Sequence, residues 1–123
     1  MTEYKTGAVV DFIAKGTTPD IWRMVLVEEG PWDEITVELT RLQDRLYECI
    51  DAALDGQVAR KFPDTHGKTI MLQLDGYNLP ILEVSEFFDA FSNNVMKIED
   101  YAQALRDSDF VSDIKFQLNL EVT

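Results

Sequence analysis

Side chains that could carry out catalysis are few and scattered in this chain. Its one histidine, His66, lies in a loop of Pro, Gly and Thr with no nucleophile beside it, so the partner that acid–base catalysis needs is missing. Its one cysteine, Cys49, has Glu48 and Asp51 as neighbours, and nearby negative charge works against the reactive thiolate. We therefore predict that neither residue is catalytic and that the protein is not an enzyme.

Metal and phosphate sites are also poorly supported. One Cys and one His cannot form a cluster of sulfur and imidazole ligands, and the six glycines are isolated and form no phosphate-cradling loop. Asp107, Asp109 and Asp113 could meet a hard cation, but their segment lacks the spacing and the glycine of a calcium loop. We predict no metal and no cofactor. An enzyme or small-molecule binder that uses His66 or this aspartate turn is the least favoured hypothesis.

The charge balance narrows the choice of partners. The chain carries 23 Asp and Glu against 11 Lys and Arg, a net charge of −12, and the basic residues are dispersed. Nucleic acids and anionic membranes are both bound mainly through clustered cations, so we expect neither as a direct partner. The acidity serves either solubility alone or the attraction of a basic protein partner.

The negative charge is concentrated between Glu28 and Asp55. This stretch holds nine acidic residues and two basic ones, and several of the acids recur at helical spacing. Either they form an ordinary solvated helix face, or they bind a basic surface, where complementary charge speeds encounter and selects the partner. The candidate partner-binding residues are Glu28, Glu29, Asp44, Glu48, Asp51 and Asp55.

The elements that position these residues follow the order β-β-α-β-α-β. Runs that alternate apolar with polar residues, or that are rich in strand-favouring residues, indicate strands when they lie between turn residues. Apolar residues that repeat every three or four positions indicate helices. The predicted strands are Gly7–Ala14, Ile21–Glu28, Lys68–Asp75 and Asp113–Val122, and the predicted helices are Glu34–Asp55 and the region from Val84 to Leu105. The turn between the first two strands predicts a hairpin.

Local signals define the helix ends. Asp33 is predicted to cap the first helix, with Trp32 and Val37 at the spacing of a hydrophobic staple, and Gly56 is predicted to end it. In the second helical region, Asn93-Asn94 is a weak point where the helix could bend or split.

These elements predict an α+β fold, a two-layer sandwich in which two helices cover one face of a four-stranded mixed or antiparallel sheet. The last strand alternates apolar with polar side chains, which indicates that one face of the sheet is exposed to solvent. The second strand nevertheless carries apolar residues on both sides, Ile21, Val25 and Val27 on one and Trp22, Met24 and Leu26 on the other. Either those on the uncovered face form a contact surface, or a loop or the segment around Tyr4 covers them.

Length and composition favour one domain over residues 1–123. The hydrophobic fraction of 46% is enough for a core, and no apolar run approaches the roughly 18 residues that span a bilayer. The start, Met1 to Lys5, does not read as a secretory signal, and a single cysteine forms no internal disulfide. We therefore expect a cytoplasmic protein.

Several short pieces resemble a small bacterial family of unknown function that has a Gly-Pro-Trp-Asp motif. They are Val10 to Ile13, Glu29 to Asp33, Leu42 to Leu46, Asp55-Gly56-Gln57 and Phe62-Pro63. The similarity is expected to extend to about residue 75 and to end where the second helical region begins. It implies the same α/β sandwich and supplies no catalytic residues. By type, as a small acidic bacterial protein, the chain also resembles the immunity proteins that neutralise contact-dependent or secreted toxins.

The leading hypothesis is an acidic protein-binding domain, an immunity protein that occludes the basic active-site surface of a toxin, in particular a nuclease. The alternative is a housekeeping or self-associating domain that pairs through its open sheet face.

Overall fold

Four strands form one mixed sheet in the computed structural model, which describes residues 12–16 and 18–121. The strands are β1 (Phe12–Lys15), β2 (Ile21–Glu29), β3 (Lys68–Tyr77) and β4 (Val111–Glu121), in that order across the sheet. The helices are α1 (Ile35–Leu54), α2 (Gln57–Lys61), α3 (Ile81–Asn94) and α4 (Glu99–Asp107). Two 3-10 turns, Pro63–Thr65 and Val95–Lys97, follow α2 and α3.

The pairing of the strands explains why the helices share one face. β1 pairs with β2 as an antiparallel hairpin, and β2, β3 and β4 run parallel to one another. Each parallel pair is therefore joined by a crossover through helices. Such crossovers have one hand, and both step across the sheet in the same direction, so both place their helices on the same face. The predicted α+β fold with a mixed four-stranded sheet is confirmed.

The second helical region splits where the sequence is weakest. α3 ends at Asn94, whose side-chain amide donates to the carbonyl oxygen of Ala90 at 2.7 Å, and α4 begins at Glu99 after a 3-10 turn. The split predicted at Asn93-Asn94 is thus confirmed. α2 was not predicted, and it occupies the first part of the segment that the sequence indicated as a loop. The part of the first predicted strand before Phe12, and Val122 at the end of the last, lie outside the described residues.

The start of α1 differs from the prediction. Its N-cap residue is Glu34, with no side-chain capping hydrogen bond, so the predicted cap at Asp33 is wrong. Because the helix begins at Ile35, Val37 lies in the first turn and is 62% exposed, so it cannot be the buried partner of a staple with Trp32. At the other end, Gly56 adopts a φ of +94° directly after the C-cap Asp55, which confirms the predicted stop.

The core lies between the sheet and the inner face of the helices. Residues of α1 such as Leu42, Leu46 and Ile50 are at most 1% exposed, and they pack with strand residues such as Leu26 and Leu72. α3 adds its own buried residues to the same cluster, Val84, Phe88 and Phe91. The apolar stripes that predicted the two helices are therefore the surfaces that hold those helices on the sheet.

The face of the sheet away from the helices is partly covered and partly polar. Trp22, Met24 and Leu26 belong to the helix side, so Ile21, Val25 and Val27 project to the other side. Val25 is 1% exposed there, and Gln73 of β3 is 5% exposed. A row of hydrogen bonds crosses this face: Arg23 donates to Gln73, and Gln73 and Asn119 both donate to Asp75.

Truncation of the α1 core should be costly. We expect Leu46→Ala to lower the free energy of unfolding by about 2–5 kcal/mol, because it leaves a cavity under the middle of the helix. Val37→Ala, on the exposed side of the same helix, is the control and should change stability by less than about 0.5 kcal/mol. Urea unfolding monitored by tryptophan fluorescence measures both, and equal effects would contradict the described orientation of α1.

Candidate functional site

The outer face of α1 carries a line of exposed carboxylates. Four acidic side chains on this face are exposed: Asp44, Glu48, Asp51 and Asp55. Residues on the opposite face of the helix, such as Leu46 and Ile50, are buried. Residues three or four apart on a helix are surface neighbours. We call these four residues the acidic ridge. Four of the six predicted partner-binding residues therefore lie together on one solvent-facing surface.

The two basic residues of α1 do not compensate this ridge. Arg41 and Arg45 both bind Glu28, and Arg41 also pairs with Glu38 at 2.7 Å. Within the described part of the chain, neither Asp44 nor Glu48 has an ion-pair partner within 4.0 Å. The ridge therefore presents net negative charge to solvent, although two arginines are present in the same helix.

Glu28 lies apart from the ridge, inside the structure. It is 5% exposed, because it sits near the end of β2 on the side of the sheet that α1 covers. Its Oε1 accepts from Arg41 Nη2 at 2.6 Å, and its Oε2 accepts from Arg45 Nη1 at 2.7 Å. Arg45 Nη1 also donates to the carbonyl oxygen of Val27 at 3.2 Å. This arrangement ties α1 to β2. Glu29, the next residue, is exposed and belongs to neither the ridge nor this network.

The environment of Glu28 keeps its carboxylate charged. Burial raises its pKa, but the hydrogen bonds and charges of Arg41 and Arg45 lower it by more, so the pKa of Glu28 lies below its usual value. Charged hydrogen bonds of this kind are short and strong compared with neutral ones. Glu28 is thus a structural anion at neutral pH.

α4 extends the acidic ridge into a groove. Tyr101 donates its hydroxyl to Asp51 at 2.9 Å and stacks on Tyr47 of α1, with ring centroids 5.8 Å apart. An open groove of about 610 Å³ follows this contact, and its lining residues are Asp51, Leu54, Asp55, Asp100, Tyr101 and Ala104. We call it the acidic groove. Burial, followed by the neighbouring Asp51 carboxylate, raises the pKa of Tyr101, so its phenol stays protonated and remains a donor.

Sequence reasoning missed the contribution of α4. Asp100 and Tyr101 stand about fifty positions after the ridge residues, and nothing in their local sequence shows that α4 packs beside α1. Tyr101 is an aromatic residue in a polar helix, which was the one available signal. Asp55 also has a local role that the sequence did not show: its carboxylate accepts the backbone and side-chain amides of Gln57, at 3.0 and 2.9 Å, at the start of α2.

The residues considered for catalysis or metal binding do not converge. His66 is exposed and meets the ring of Phe110 edge-on, and the carboxylates of Asp107 and Asp113 accept hydrogen bonds from Gln103 and from the amide of Ile114. Over residues 12–16 and 18–121, no three His, Cys, Asp or Glu side chains come together as a metal site. The ridge and groove instead have the chemistry to receive cationic side chains: carboxylates, with an aromatic ring between them.

Comparison with known proteins gives a family and nothing more specific. The model of a family described as "Family of unknown function (DUF6572)" matches residues 1–106. The similarity thus extends into α4, beyond residue 75, where it was expected to end. No curated protein and no solved structure matches the chain. These comparisons provide no link to toxin immunity. In the described part of the chain, no helix has both the length and the apolar character to cross a membrane.

The Glu28 network predicts a pH-dependent contribution to stability. We expect Glu28→Gln to lower the free energy of unfolding at pH 7 by about 1.5–3 kcal/mol, because charged hydrogen bonds from Arg41 and Arg45 are lost. Since the pKa of Glu28 is lowered on folding, its contribution is complete above the pKa of the unfolded chain and disappears as the pH falls through the folded value.

Urea unfolding of wild type and Glu28→Gln at several pH values between about 7 and 3 measures this difference. The gap between the two proteins should narrow as the pH falls. Glu29→Gln, which removes an exposed neighbouring carboxylate, is the matched control and should change stability by no more than about 0.5 kcal/mol. A gap for Glu28→Gln that stays constant over this range would contradict the ionised network.

Proposed function

The chain belongs to the DUF6572 family of unknown function, and we propose that it is a protein-binding domain that docks a basic partner against the acidic ridge and the acidic groove. The observation that carries this proposal is the separation of charges in α1. Its two arginines bind the buried Glu28, while Asp44 and Glu48 on its outer face have no ion-pair partner among the residues that the structure describes. A surface of this kind attracts a basic partner over a distance and selects against acidic ones.

The acidic groove adds a place where a partner side chain can make direct contact, which long-range charge attraction alone does not provide. A lysine or arginine side chain entering it would meet Asp51, Asp55 and Asp100 and could lie against the ring of Tyr101. Tyr101 is already held in place by its hydroxyl bond to Asp51 and by its stacking on Tyr47. Binding would therefore cost little side-chain ordering, and rigid aromatic anchors of this type dominate many interfaces.

The more specific version of the proposal is an immunity protein in the bacterial cytoplasm that neutralises a toxin. A nuclease must present cations where it meets phosphates, and such a surface is complementary to the ridge and groove. By the same reasoning the acidic domain would not bind nucleic acid itself. The support for this version is the charge pattern.

Self-association through the open sheet face remains an alternative prediction, and the geometry gives it less support. Val25, which should be the centre of an apolar contact, is 1% exposed within the chain. Around it the face carries a hydrogen-bonded polar row that includes Arg23 and Asp75. The acidic ridge, in contrast, is exposed along its whole length.

Charge reversal on the ridge tests the proposed interface. Asp44→Lys combined with Glu48→Lys should reduce capture of the partner at least about tenfold, because attraction becomes repulsion at the centre of the ridge. Asp51 is left unchanged because it holds Tyr101. The tagged wild-type chain and the double variant are compared by affinity capture from the source cells at increasing salt, with the captured proteins quantified by mass spectrometry.

The matched control is Asp64→Lys with Asp109→Lys, which makes the same change in net charge at exposed positions outside α1 and α4. We expect the wild type and this control to capture the same basic protein, and salt to release it, because exposed charge pairs are screened. A partner retained by the ridge variant, or lost equally from the control, would refute the ridge as the interface.

The immunity version has its own test. The genes adjacent to this chain's gene are expressed one at a time in a heterologous host, with and without the chain. If the chain is an immunity protein, one product should arrest growth, and co-expression of the wild type, but not of the ridge variant, should restore it. Arrest that the wild-type chain does not relieve would count against immunity while leaving binding to another basic protein open to the capture experiment.

A further inference from the structure

The last strand of the sheet has a long edge with little protection against further pairing. β4 has 11 residues and pairs with β3 on one side; among the described strands none pairs with its other side. Natural edge strands are protected by short length, charged side chains and especially lysine, proline, bulges or inward-pointing charges. β4 has one such lysine, Lys115, on the sheet face away from the helices. β1, at the opposite edge, has four residues. β4 has no proline, its helix-side row from Ile114 to Leu120 is apolar, and its one register irregularity lies at its start.

A groove runs beside this edge. It lies between α3 and β4, has a volume of about 550 Å³, and is lined by Ser85, Glu86, Phe88, Asp89, Ser92 and Leu118. Phe91 of α3 meets Tyr47 of α1 with ring centroids 5.2 Å apart, so Ser85, Asp89 and Ser92 lie by helical spacing on the side of α3 away from α1. That side of α3 is the one toward the outer edge of β4. Phe88 is 4% exposed and forms its floor, while Leu118 is only partly buried and Glu86 and Asp89 are exposed.

The charges of the groove indicate which strand would fit. A second copy pairing with β4 about a two-fold axis would bring its own α3 to the same side of the sheet. Glu86 and Asp89 of both copies would then face each other, between chains that each carry a net charge of −12. An extended segment with arginine or lysine at alternate positions avoids this repulsion. Its long side chains can cover Leu118 and reach the two carboxylates.

We propose that the outer edge of β4 binds an extended, basic segment of a partner protein by strand addition. The backbone of that segment continues the sheet, and its alternate side chains enter the groove between α3 and β4. This surface is separate from the acidic ridge and groove and does not depend on them, although a single basic partner could use both.

The test uses a defined probe, a blocked peptide of about nine residues that alternates threonine with arginine and is long enough to form a typical strand. It is titrated into the full chain labelled with nitrogen-15. We expect saturable shifts of backbone amides in β4 and α3, together with slower hydrogen exchange at the outward amides of β4. The same peptide with every backbone amide methylated keeps its charge but cannot donate to the sheet, and it should not bind there.

Two protein variants separate this site from the ridge. Glu86→Lys with Asp89→Lys should weaken binding of the probe about tenfold, whereas Asp44→Lys with Glu48→Lys should leave its binding to β4 unchanged. Equal binding of the methylated peptide, shifts centred on α1 and α4, or no saturable shift would each overturn the proposal. So would sedimentation that shows a dimer with β4 amides already protected, since a second copy would then occupy the edge.

Discussion

The ion-pair network around Glu28 is the constraint that sets both the attachment of α1 to β2 and the placement of charge on that helix. A carboxylate buried at the end of β2 needs cationic partners, because an unpaired buried charge costs several kcal/mol. Arg41 and Arg45 provide them, and in doing so they orient α1 on the sheet. The same contacts direct both guanidinium groups to Glu28, and they leave the Arg45 side chain 17% exposed. One internal requirement therefore contributes both to the position of α1 and to the net negative charge on its outer face.

The repulsion between the carboxylates of the acidic ridge costs little free energy compared with the apolar burial that holds α1 on the sheet. Like charges three or four residues apart destabilise a helix by about 0.2–0.5 kcal/mol per pair, so the ridge costs on the order of 1 kcal/mol. Full burial of a single leucine or isoleucine contributes about 1.5–3 kcal/mol, and α1 buries several, including Leu42, Leu46 and Ile50. The fold can thus maintain a repulsive row of carboxylates without losing the helix. The folded state is therefore stable without a bound cation at the ridge, and the carboxylates stay available to a partner.

Sheet topology determines which surfaces are available. With β2, β3 and β4 parallel and adjacent in sequence order, all the crossover helices fall on one face, and β4 becomes a long edge. The helix layer consequently offers two acidic surfaces, one between α1 and α4 and one between α3 and β4. Both combine carboxylates with apolar or aromatic side chains. This combination suits cationic peptide and protein groups better than it suits a small ligand, which needs a deeper enclosure.

By itself, the sequence determined the four strands, the two main helical regions and the fold class, because apolar spacing and turn residues report directly which side of a helix or strand is buried. It also predicted the end of α1 at Gly56, the break after Asn93-Asn94 and the alignment of Asp44, Glu48, Asp51 and Asp55 on one helix face. The cap at Asp33 was wrong because the helix begins one residue later than the capping pattern indicates. Only the tertiary structure showed that Glu28 is internal, that Arg41 and Arg45 bind it, and that Tyr101 and Asp100 lie beside the ridge. Those facts depend on contacts between residues far apart in the chain, and local spacing carries no information about such contacts.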